Sequence, residues 1–578
     1  MYKKTAYSLY FVITITTSLL LKQNHFRMKF SKTNKTGEKI NFRSKFAFWV
    51  GFLSVSAGVA LQLPMYINAA DMGYKLVGMP MNTSMSLGMV LVVIGLVITL
   101  YSLIPPKVIK ENLDYNLKVR ALDDAPINKT HIGLLFVMAL AVTLDVMKPT
   151  ILSFVVPGVA REYGLKSPVN PSGTIPVALL PLSGITGTVL GSFLWGWLGD
   201  RIGRRSSILM AGITFIATSS CGSMPEFWMN CVMCLLMGYG VGGMLPILFT
   251  IMAESIPARH RGWLMVLIGG DIAGAYIISS ALASWLVPHY SWRILWLIGF
   301  PTGFMLIFLN RWIPESPRYL LNHGRFKEAQ EVMKRYGAVA IKEKILPINI
   351  EVKIKDQFKQ LFRPPFLGIT ATVALLALGA GFVEFGFELW IPSNLQHLGF
   401  TSADSFVILR NAALIGFPLN LLVAWAYGVW SSKKTIIVLT LLTAVSMLGF
   451  LFTDESIVQH KVWLYVLLVI PIWGISSVIS ILSAYAAEIY PTKVRSRGSG
   501  LVAGFSKFGG VLVIALVVFA VAPPSIAATA IAGAIPLILA ALAIIFFGVE
   551  TRKRKLEEIT AEQLSHVSVL ADNPLPME

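Results

Sequence analysis

Charged residues are scarce in this chain. Only 14% of its 578 residues are Asp, Glu, Lys or Arg, whereas 55% are hydrophobic. A soluble protein carries about 25% charged residues. A chain with so little charge cannot cover its surface with polar groups, so we expect the lipid bilayer to be its solvent.

Cysteine is also scarce, with three residues in the whole sequence. Cys231 and Cys234 are spaced as CxxC inside an apolar stretch, with no histidine or additional cysteine at metal-ligand spacing, so we interpret them as core residues. No metal cluster, nucleophile motif or nucleotide-binding loop stands out. The sequence therefore argues against an enzyme and predicts neither a metal nor a cofactor.

Acidic residues are few relative to basic ones, and the formal net charge is +19. Such an excess could indicate a nucleic-acid partner. The positive charge, however, lies in short segments between apolar runs, where it sets the orientation of a membrane protein. We therefore predict no nucleic-acid partner.

Long apolar runs are abundant. A spanning helix needs about 20 apolar residues, and twelve such runs fall into two groups of six on either side of the polar segment 313–365. Two further runs, 46–68 and 86–104, precede them. We predict an all-α multi-pass membrane protein of two six-helix bundles with pseudo-twofold symmetry, plus an extra N-terminal transmembrane hairpin. Its parts are a basic cytoplasmic segment 1–45, the hairpin and linker 46–129, the first bundle 130–312, a cytoplasmic loop 313–365, the second bundle 366–550 and a cytoplasmic tail 551–578.

A short apolar run at 5–21 precedes Met28. No small-residue cleavage site follows it, which disfavours a removed signal peptide. We interpret the run as a weak span, or as translation from a start upstream of the real one, and both Met1 and Met28 stay open as the first residue.

Basic residues divide unevenly between alternate loops. The loops 199–205, 253–262, 431–434 and 488–498 carry ten Lys and Arg together, whereas the alternate loops carry three. Cytoplasmic loops hold the excess of Lys and Arg, so the first set, the loop 313–365 and both ends of the core are predicted to be cytoplasmic. A chain without an Arg-rich amphipathic leader or large loops fits a bacterial inner membrane.

Two charged stretches repeat at an offset of 234 residues. In each, an apolar run ends in Glu, with Pro three residues later and Arg seven residues later: Glu254, Pro257 and Arg261 in the first, Glu488, Pro491 and Arg495 in the second. Repeats of this kind indicate duplication. Two such halves in a membrane chain are typical of a secondary transporter with its substrate site between them.

A basic turn, Gly196-Trp-Leu-Gly-Asp-Arg-Ile-Gly-Arg-Arg205, follows the second predicted core helix. Together with the two repeats and the Pro-Glu-Ser-Pro-Arg sequence at 314–318, it resembles the major facilitator superfamily, in particular its sugar-porter-like branch, which includes organic-acid proton symporters. The resemblance covers roughly 130–560 and leaves 1–129 unexplained. It implies alternating access, in which two six-helix bundles rock about a site at the membrane midplane.

The resemblance also implies a charge network that closes the cytoplasmic side. Its members would be Asp200, Arg204, Glu254, Arg261, Glu315 and Arg318 in the first half, and Glu488, Arg495 and Arg497 in the second. The counterpart of the basic turn in the second half, Trp430-Ser-Ser-Lys-Lys434, has no Asp, which puts the symmetry of the network in doubt. The alternative is that these charges only fix topology and helix ends.

Charges inside predicted spans cost about 2.5–3.5 kcal/mol each on insertion scales and are functional candidates by default. Core helix 1 carries Asp145 and Lys148, which share a face and can pair, and core helix 7 carries Glu384 and Glu388. In the family these two helices line the central cavity. We expect Asp145 or Glu384 to be the proton-coupling carboxyl, with Glu388 next. The alternatives are a static Asp145–Lys148 pair and a Glu388 that already faces the outer vestibule.

Three cations, Lys148, Arg410 and Lys507, are expected in the interior, and they favour an organic anion as substrate. The repeat offset places Lys507 opposite Asp271, so these two are expected to pair across the bundle interface. Aromatic residues near the site could stack a ring. Neutral polar residues in the helices are few, which weakens a sugar substrate.

We therefore predict a monomeric secondary transporter whose partners are a small-molecule substrate, protons and the bilayer. Proton-coupled symport of a small organic anion, with an aromatic acid as one candidate, is the leading hypothesis. The alternatives are a sugar or polyol transporter or facilitator and, in another class, a transport-inactive membrane sensor. A drug exporter is disfavoured because core helix 5 reads Gly269-Gly-Asp-Ile-Ala-Gly274 and lacks the Gly-Pro motif typical of such exporters.

Overall fold

The computed structural model describes residues 40, 42–104, 122, 125–167, 170–338, 358–364, 366–452, 461–490, 494–520, 526–554 and 559. The basic segment 1–39, the run 5–21 within it and most of the tail lie outside the described residues. All of the described residues belong to one compact unit, Ile40–Glu578.

Thirteen helices among the described residues are long and apolar enough to span a membrane, and a shorter apolar helix, α8, completes the predicted pattern. The hairpin and first bundle comprise α1 (Lys45–Asn68), α2 (Thr83–Leu103), α3 (Lys129–Glu162), α4 (Leu179–Ile202), α5 (Arg204–Ser223), α6 (Phe227–Ser255), α7 (Ala258–Tyr290) and α8 (Ile294–Leu309). Two short helices follow, α9 (Pro317–Asn322) and α10 (Phe326–Arg335). The second bundle comprises α11 (Leu367–His397), α12 (Ser402–Trp430), α13 (Ser432–Leu448), α14 (Lys461–Ile489), α15 (Arg495–Ala520) and α16 (Ile526–Phe547). The predicted fold class is confirmed.

The extra hairpin is held together by glycines. A Cβ atom built on Gly58 would lie 2.6 Å from the carbonyl oxygen of Gly88, and one built on Gly95 would lie 2.7 Å from that of Gly51. Real Cβ contacts are never this short, so only glycine lets α1 and α2 approach each other so closely. These small residues explain why two isolated apolar runs form one tight pair.

The hairpin packs on the first bundle. The rings of Phe52 and Phe304 lie 5.4 Å apart, and the Tyr66 hydroxyl donates to the carbonyl of Tyr290 at 2.6 Å. The backbone N–H of Leu76 donates to Glu162 at 2.9 Å. The loop between α1 and α2 therefore caps the first bundle at the end opposite its basic loops.

This covering breaks the equivalence of the two bundles. The span Arg204–Ser223 is 100% buried, whereas its repeat counterpart Ser432–Leu451 is 44% buried. The hairpin contacts the first of these helices. In the first bundle the hairpin therefore lies between α5 and the lipid. In the second bundle the equivalent helix, α13, faces the lipid directly.

The helix α10 buries its apolar face. Its residues Ala329, Val332 and Met333 pack into the protein core. The ring of Tyr336 also contacts His131 at the start of α3, 5.0 Å between centroids.

Candidate substrate site and gates

A cleft of about 810 Å³ lies between the two bundles. Its walls come from α3, α4, α6 and α7 of the first bundle and from α11, α14 and α15 of the second. Apolar side chains form most of the lining, and the charged ones among the described lining residues are Asp145, Glu384 and Lys507. A mostly apolar cavity with a few convergent polar groups is the usual form of a small-molecule site. We call this space the central cleft.

Lys507 and Glu384 form an ion pair in the central cleft. The Lys507 Nζ lies 3.1 Å from Glu384 Oε2 and 3.3 Å from Oε1. The same ammonium lies 4.8 Å from the centroid of the Phe385 ring. Lys507 also interacts electrostatically with Asp145 across the bundle interface. One cation in the second half thus faces two carboxylates, one from each half.

Three buried polar atoms at the central cleft have no hydrogen-bond partner among the described residues. They are Asp145 Oδ1, Ser499 Oγ and Ser506 Oγ. An unsatisfied buried polar group costs about 1–3 kcal/mol, so native proteins keep few of them, and a functional site is one explanation of such a group. Their convergence on one space makes it a candidate site for a polar ligand.

A second space of about 450 Å³ adjoins the central cleft toward the end opposite the basic loops, and we call it the outer chamber. The two spaces share five lining residues, Val146, Pro149, Ile272, Glu384 and Ile479. The outer chamber also takes in Glu388 and Tyr276. Glu384 therefore lies on the boundary between the two spaces.

Lys148 does not line the central cleft, contrary to expectation. Its Nζ donates to the carbonyl oxygen of Phe215 in α5 at 3.4 Å, and the side chain is fully buried inside the first bundle. Residues three apart on an α-helix are offset by about 60°, so Asp145 can face the cleft while Lys148 faces the neighbouring helix. The expected Asp145–Lys148 pair does not form.

The expected pair between Asp271 and Lys507 also does not form, because Lys507 bonds Glu384 within its own bundle. Asp271 lies beside Thr143 instead. Arg410 lies outside both spaces, where its guanidinium donates to Asn411 at 3.0 Å. Of the three expected interior cations, only Lys507 reaches the central cleft.

At the end that carries the basic loops, the repeat motifs meet across the two bundles. Arg495 Nη1 of the second bundle lies 3.4 Å from Glu254 Oε1 of the first, and Arg204 Nη2 lies 3.5 Å from the same oxygen. Ser316 donates a further hydrogen bond to Glu254, and Arg318 interacts with it electrostatically. All four partners of Glu254 come from segments that the sequence singled out.

The reciprocal contact is present in the other direction. Arg261 of the first bundle interacts electrostatically with Glu488 of the second. The hydroxyl of Tyr427 donates to Glu488 at 2.9 Å, and Thr551 bonds the same carboxylate. Each half therefore contributes one Arg to the glutamate of the other half, as the repeat predicts.

A second pair of glutamates anchors the loops to helix starts. Glu315 accepts hydrogen bonds from the backbone N–H groups of Arg204 and Arg205 at the start of α5. Burial raises the pKa of Glu315, although Arg204 and these N–H groups act against it. Its counterpart Glu550 accepts from Ser432 N at 3.0 Å at the start of α13.

The second basic turn, which has no Asp, contacts its glutamate through serines. The hydroxyls of Ser431 and Ser432 both donate to Glu550, so hydroxyls hold this joint where guanidinium groups surround its counterpart. The side chain of Asp200 lies outside the described residues. Arg497 lies on α15 two residues beyond Arg495, with a half-buried side chain.

Arg161 is a functional candidate that the sequence analysis missed. At the end opposite the basic loops, its guanidinium donates to Gln396 Oε1 at 2.8 Å and to Ser402 Oγ at 3.1 Å, joining α3 to the second bundle. A signal was present, because Arg161 is one of only three basic residues in the loops predicted to be outside. Polar contacts thus join the two halves on both sides of the cleft.

Comparison with known proteins identifies the family. Residues 134–478 match the family model described as Major Facilitator Superfamily. The chain belongs to the Major Facilitator Superfamily. It is therefore a multi-pass membrane transporter and not an enzyme, as the sequence predicted.

Among the relatives of this superfamily member are two bacterial proteins named NiaP. The chain is 26% identical over 449 residues to the niacin transporter NiaP of Acinetobacter baylyi, covering 76% of this chain and 99% of that protein. It is 26% identical over 428 residues to the putative niacin/nicotinamide transporter NiaP of Bacillus subtilis, covering 73% and 97%. Nearly all of each relative thus matches only about three quarters of this chain.

Solved structures share the fold at low identity. The proton:xylose symporter XylE matches with a TM-score of 0.61 and 17% identity over 75% of this chain and 99% of that one. The human organic anion transporter MFSD10 matches with a TM-score of 0.54 and 16% identity over 72% and 99%. At such identities the likeness concerns the fold alone.

Proposed function

We propose that this chain is a proton-coupled symporter of a small organic anion that works by alternating access of the central cleft. The observation that carries the proposal is the Lys507–Glu384 ion pair in an otherwise apolar space, with Asp145 opposite it. A symporter needs a cation for the substrate and a carboxyl for the proton at one place, and these residues supply both.

Coupling follows from competition for Lys507. While Glu384 is ionised, its carboxylate pairs with the Lys507 ammonium, so a second anion gains little binding energy there. A proton on Glu384 removes that partner and leaves Lys507 free for the substrate carboxylate. Because a buried ammonium is costly without a counter-ion, the proton and the anion each strengthen the binding of the other, as linkage requires. The proton and the substrate anion then cross the membrane together without net charge.

The substrate class rests on chemistry and on the relatives. Phe385 beside Lys507 offers an aromatic face next to the cation. The two bacterial relatives are named for niacin, a pyridine carboxylate. We propose an aromatic monocarboxylate of this kind.

The two sets of contacts between the halves would act as alternating gates. By the positive-inside rule, the gate at Glu254 and Glu488 would face the cytoplasm, and Arg161 would hold the outer side. We further propose a monomer in a bacterial inner membrane, with both ends of the core in the cytoplasm. Asp200, Arg497, Glu315 and Arg318 would support the cytoplasmic gate.

The test is transport by the purified protein in vesicles that contain a pH-sensitive dye. Nicotinate, benzoate, xylose and a quaternary amine would each be added outside at equal pH. We expect acidification of the lumen with nicotinate or benzoate and none with xylose or the amine. In Glu384→Gln, labelled nicotinate should still exchange, but it should no longer carry protons. Xylose equilibration without any carboxylate response would instead establish the sugar alternative, and no transport of any compound would favour a sensor.

A further inference from the structure

We propose that the outer chamber is the proton-uptake station of this transporter, and that Glu388 receives the proton from the outer side and passes it to Glu384. This inference rests on the proposed function and adds a route to it. Protons would reach the Lys507–Glu384 pair through the outer chamber, which Lys507 does not line.

The proposed proton route follows α11, which carries both glutamates. Glu388 lies one helical turn beyond Glu384, where the helix changes to a 3-10 turn over Glu388–Trp390. Both carboxylates line the outer chamber, but only Glu384 also lines the central cleft. A proton that moves between them therefore passes from one space to the other along a single helix face.

The surroundings of Glu388 suit a group that exchanges protons. Its side chain is 8% exposed and has no ion pair or hydrogen bond among the described residues. The charged and titratable groups that act on it are Glu384, Lys507 and Tyr276. The Tyr276 hydroxyl is buried on α7 without a partner. Thr150, Ser153 and Ser476 add hydroxyls to the same lining and could order water there.

Charge repulsion keeps one proton on the two glutamates, because two carboxylates one turn apart in an apolar setting share a proton more readily than both ionise. A hydronium ion from the outer side protonates the Glu388 carboxylate. The resulting acid gives that proton to the Glu384 carboxylate, directly or through one water, and Glu388 returns to its ionised form. Protonated Glu384 releases Lys507, which then binds the substrate.

The outer chamber gives protons a second way to reach Glu384 when an anion is bound in the central cleft. An anion bound at Lys507 sits against Glu384 from the cleft side and hinders proton access from there. The outer chamber reaches Glu384 from its other side. The proton can therefore reach Glu384 without passing the anion site at Lys507.

The experiment compares two kinds of transport in vesicles. Accumulation of labelled nicotinate driven by an acidic exterior requires net proton movement, whereas exchange of labelled for unlabelled nicotinate at equal pH does not. In Glu388→Gln we expect accumulation to fall at least about tenfold, while exchange falls much less. Glu388→Asp, which keeps a carboxyl, should recover part of the accumulation. Asp404→Asn, which removes an exposed carboxylate at the start of α12, serves as the control and should change neither.

The outcomes separate this inference from the function on which it rests. If Glu388→Gln accumulates nicotinate like the wild type at every external pH, the inference is wrong and the symporter proposal stands. If the folded variant loses exchange and accumulation equally, Glu388 belongs to substrate binding, which also overturns the inference. If the wild type moves no protons with nicotinate or benzoate, the proposed function itself has failed.

Discussion

Arg495 of the second bundle lies 3.4 Å from Glu254 of the first, and both side chains are fully buried. Glu254 also holds Arg204 at 3.5 Å, so one carboxylate balances guanidinium groups from both halves. Removing one partner of a buried pair costs about 3–5 kcal/mol because the remaining charge stays unpaired. This contact can therefore hold one end of the molecule closed only while Glu254 is charged.

Glu254→Gln should open that end of the molecule. Three guanidinium groups act on Glu254, whereas Tyr427 and Thr551 share Glu488 with Arg261. The loss of even about 1.4 kcal/mol from the closed state raises the open population about tenfold. A cysteine introduced at Ser483, which lines the central cleft, should then react at least about tenfold faster with a water-soluble thiol reagent.

The matched control is Glu488→Gln in the same Ser483→Cys background. Fewer buried cations lose their partner in that variant, so its labelling should rise less than that of Glu254→Gln. Equal rates in all three proteins would mean that the glutamates do not hold the closed state.

Lys507→Met should abolish nicotinate binding and destabilise the protein. Lys507 is the one cation that lines the central cleft in the described part of the chain, so binding loses it and Glu384 is left without its partner. The double variant Lys507→Met with Glu384→Gln removes both charges, so its melting temperature should return toward that of the wild type while binding stays at least about tenfold weaker. Thermal unfolding in detergent and titration with nicotinate measure the two effects. Binding restored in the double variant would show that Lys507 is not the anion site.

Gly88→Val should loosen the N-terminal hairpin. A Cβ at Gly88 would lie 2.5 Å from the carbonyl oxygen of Gly58, and overpacking of this kind costs about 1–3 kcal/mol. We expect a lower melting temperature. Gly133→Ala on α3 is the control, because a Cβ there meets nothing within 4 Å. A melting temperature equal to that of the control would show that the close approach of the two helices is dispensable.

The joint at Glu550 should make part of the stability dependent on pH. Burial acts to raise the pKa of Glu550, but hydrogen bonds from Ser431 and Ser432 outweigh it and hold the pKa below its ordinary value of 4.5. A carboxyl with a lowered pKa stabilises the fold above the pKa of the unfolded chain, and this contribution disappears as the pH falls through the pKa of the folded protein. The difference in melting temperature between the wild type and Glu550→Gln should therefore be largest near neutral pH and should shrink below about pH 4.5. A difference that does not vary with pH would contradict the assignment.

The fold was predictable because lipid imposes long apolar runs, and the duplicated motif was predictable because Glu254 and Glu488 sit in near-identical contexts. Individual site residues were also within reach, since a charge such as Asp145 or Lys507 is costly in a span. The contact partners of these charges could not be predicted. Periodicity shows that Asp145 and Lys148 lie near one face, but it does not show which neighbouring helix each side chain meets. In the structure, Lys148 contacts α5.

Pairings between helices failed for a similar reason. The repeat offset placed Lys507 opposite Asp271, yet Glu384 on α11 lies closer to it. An offset aligns positions along two halves, whereas side-chain length and rotation decide which groups touch. The role of Arg161 was not predicted, because only the packed structure shows that its guanidinium donates to Gln396 of the other bundle.

The most direct test of the coupling at Lys507 and Glu384 is the proton uptake that accompanies nicotinate binding. Calorimetric titration of the purified protein in buffers of different ionisation enthalpy measures it without transport. The account predicts uptake of close to one proton per nicotinate in the wild type, and close to none in Glu384→Gln, which still binds. Tight nicotinate binding with no proton uptake in the wild type, or with equal uptake in Glu384→Gln, would contradict it.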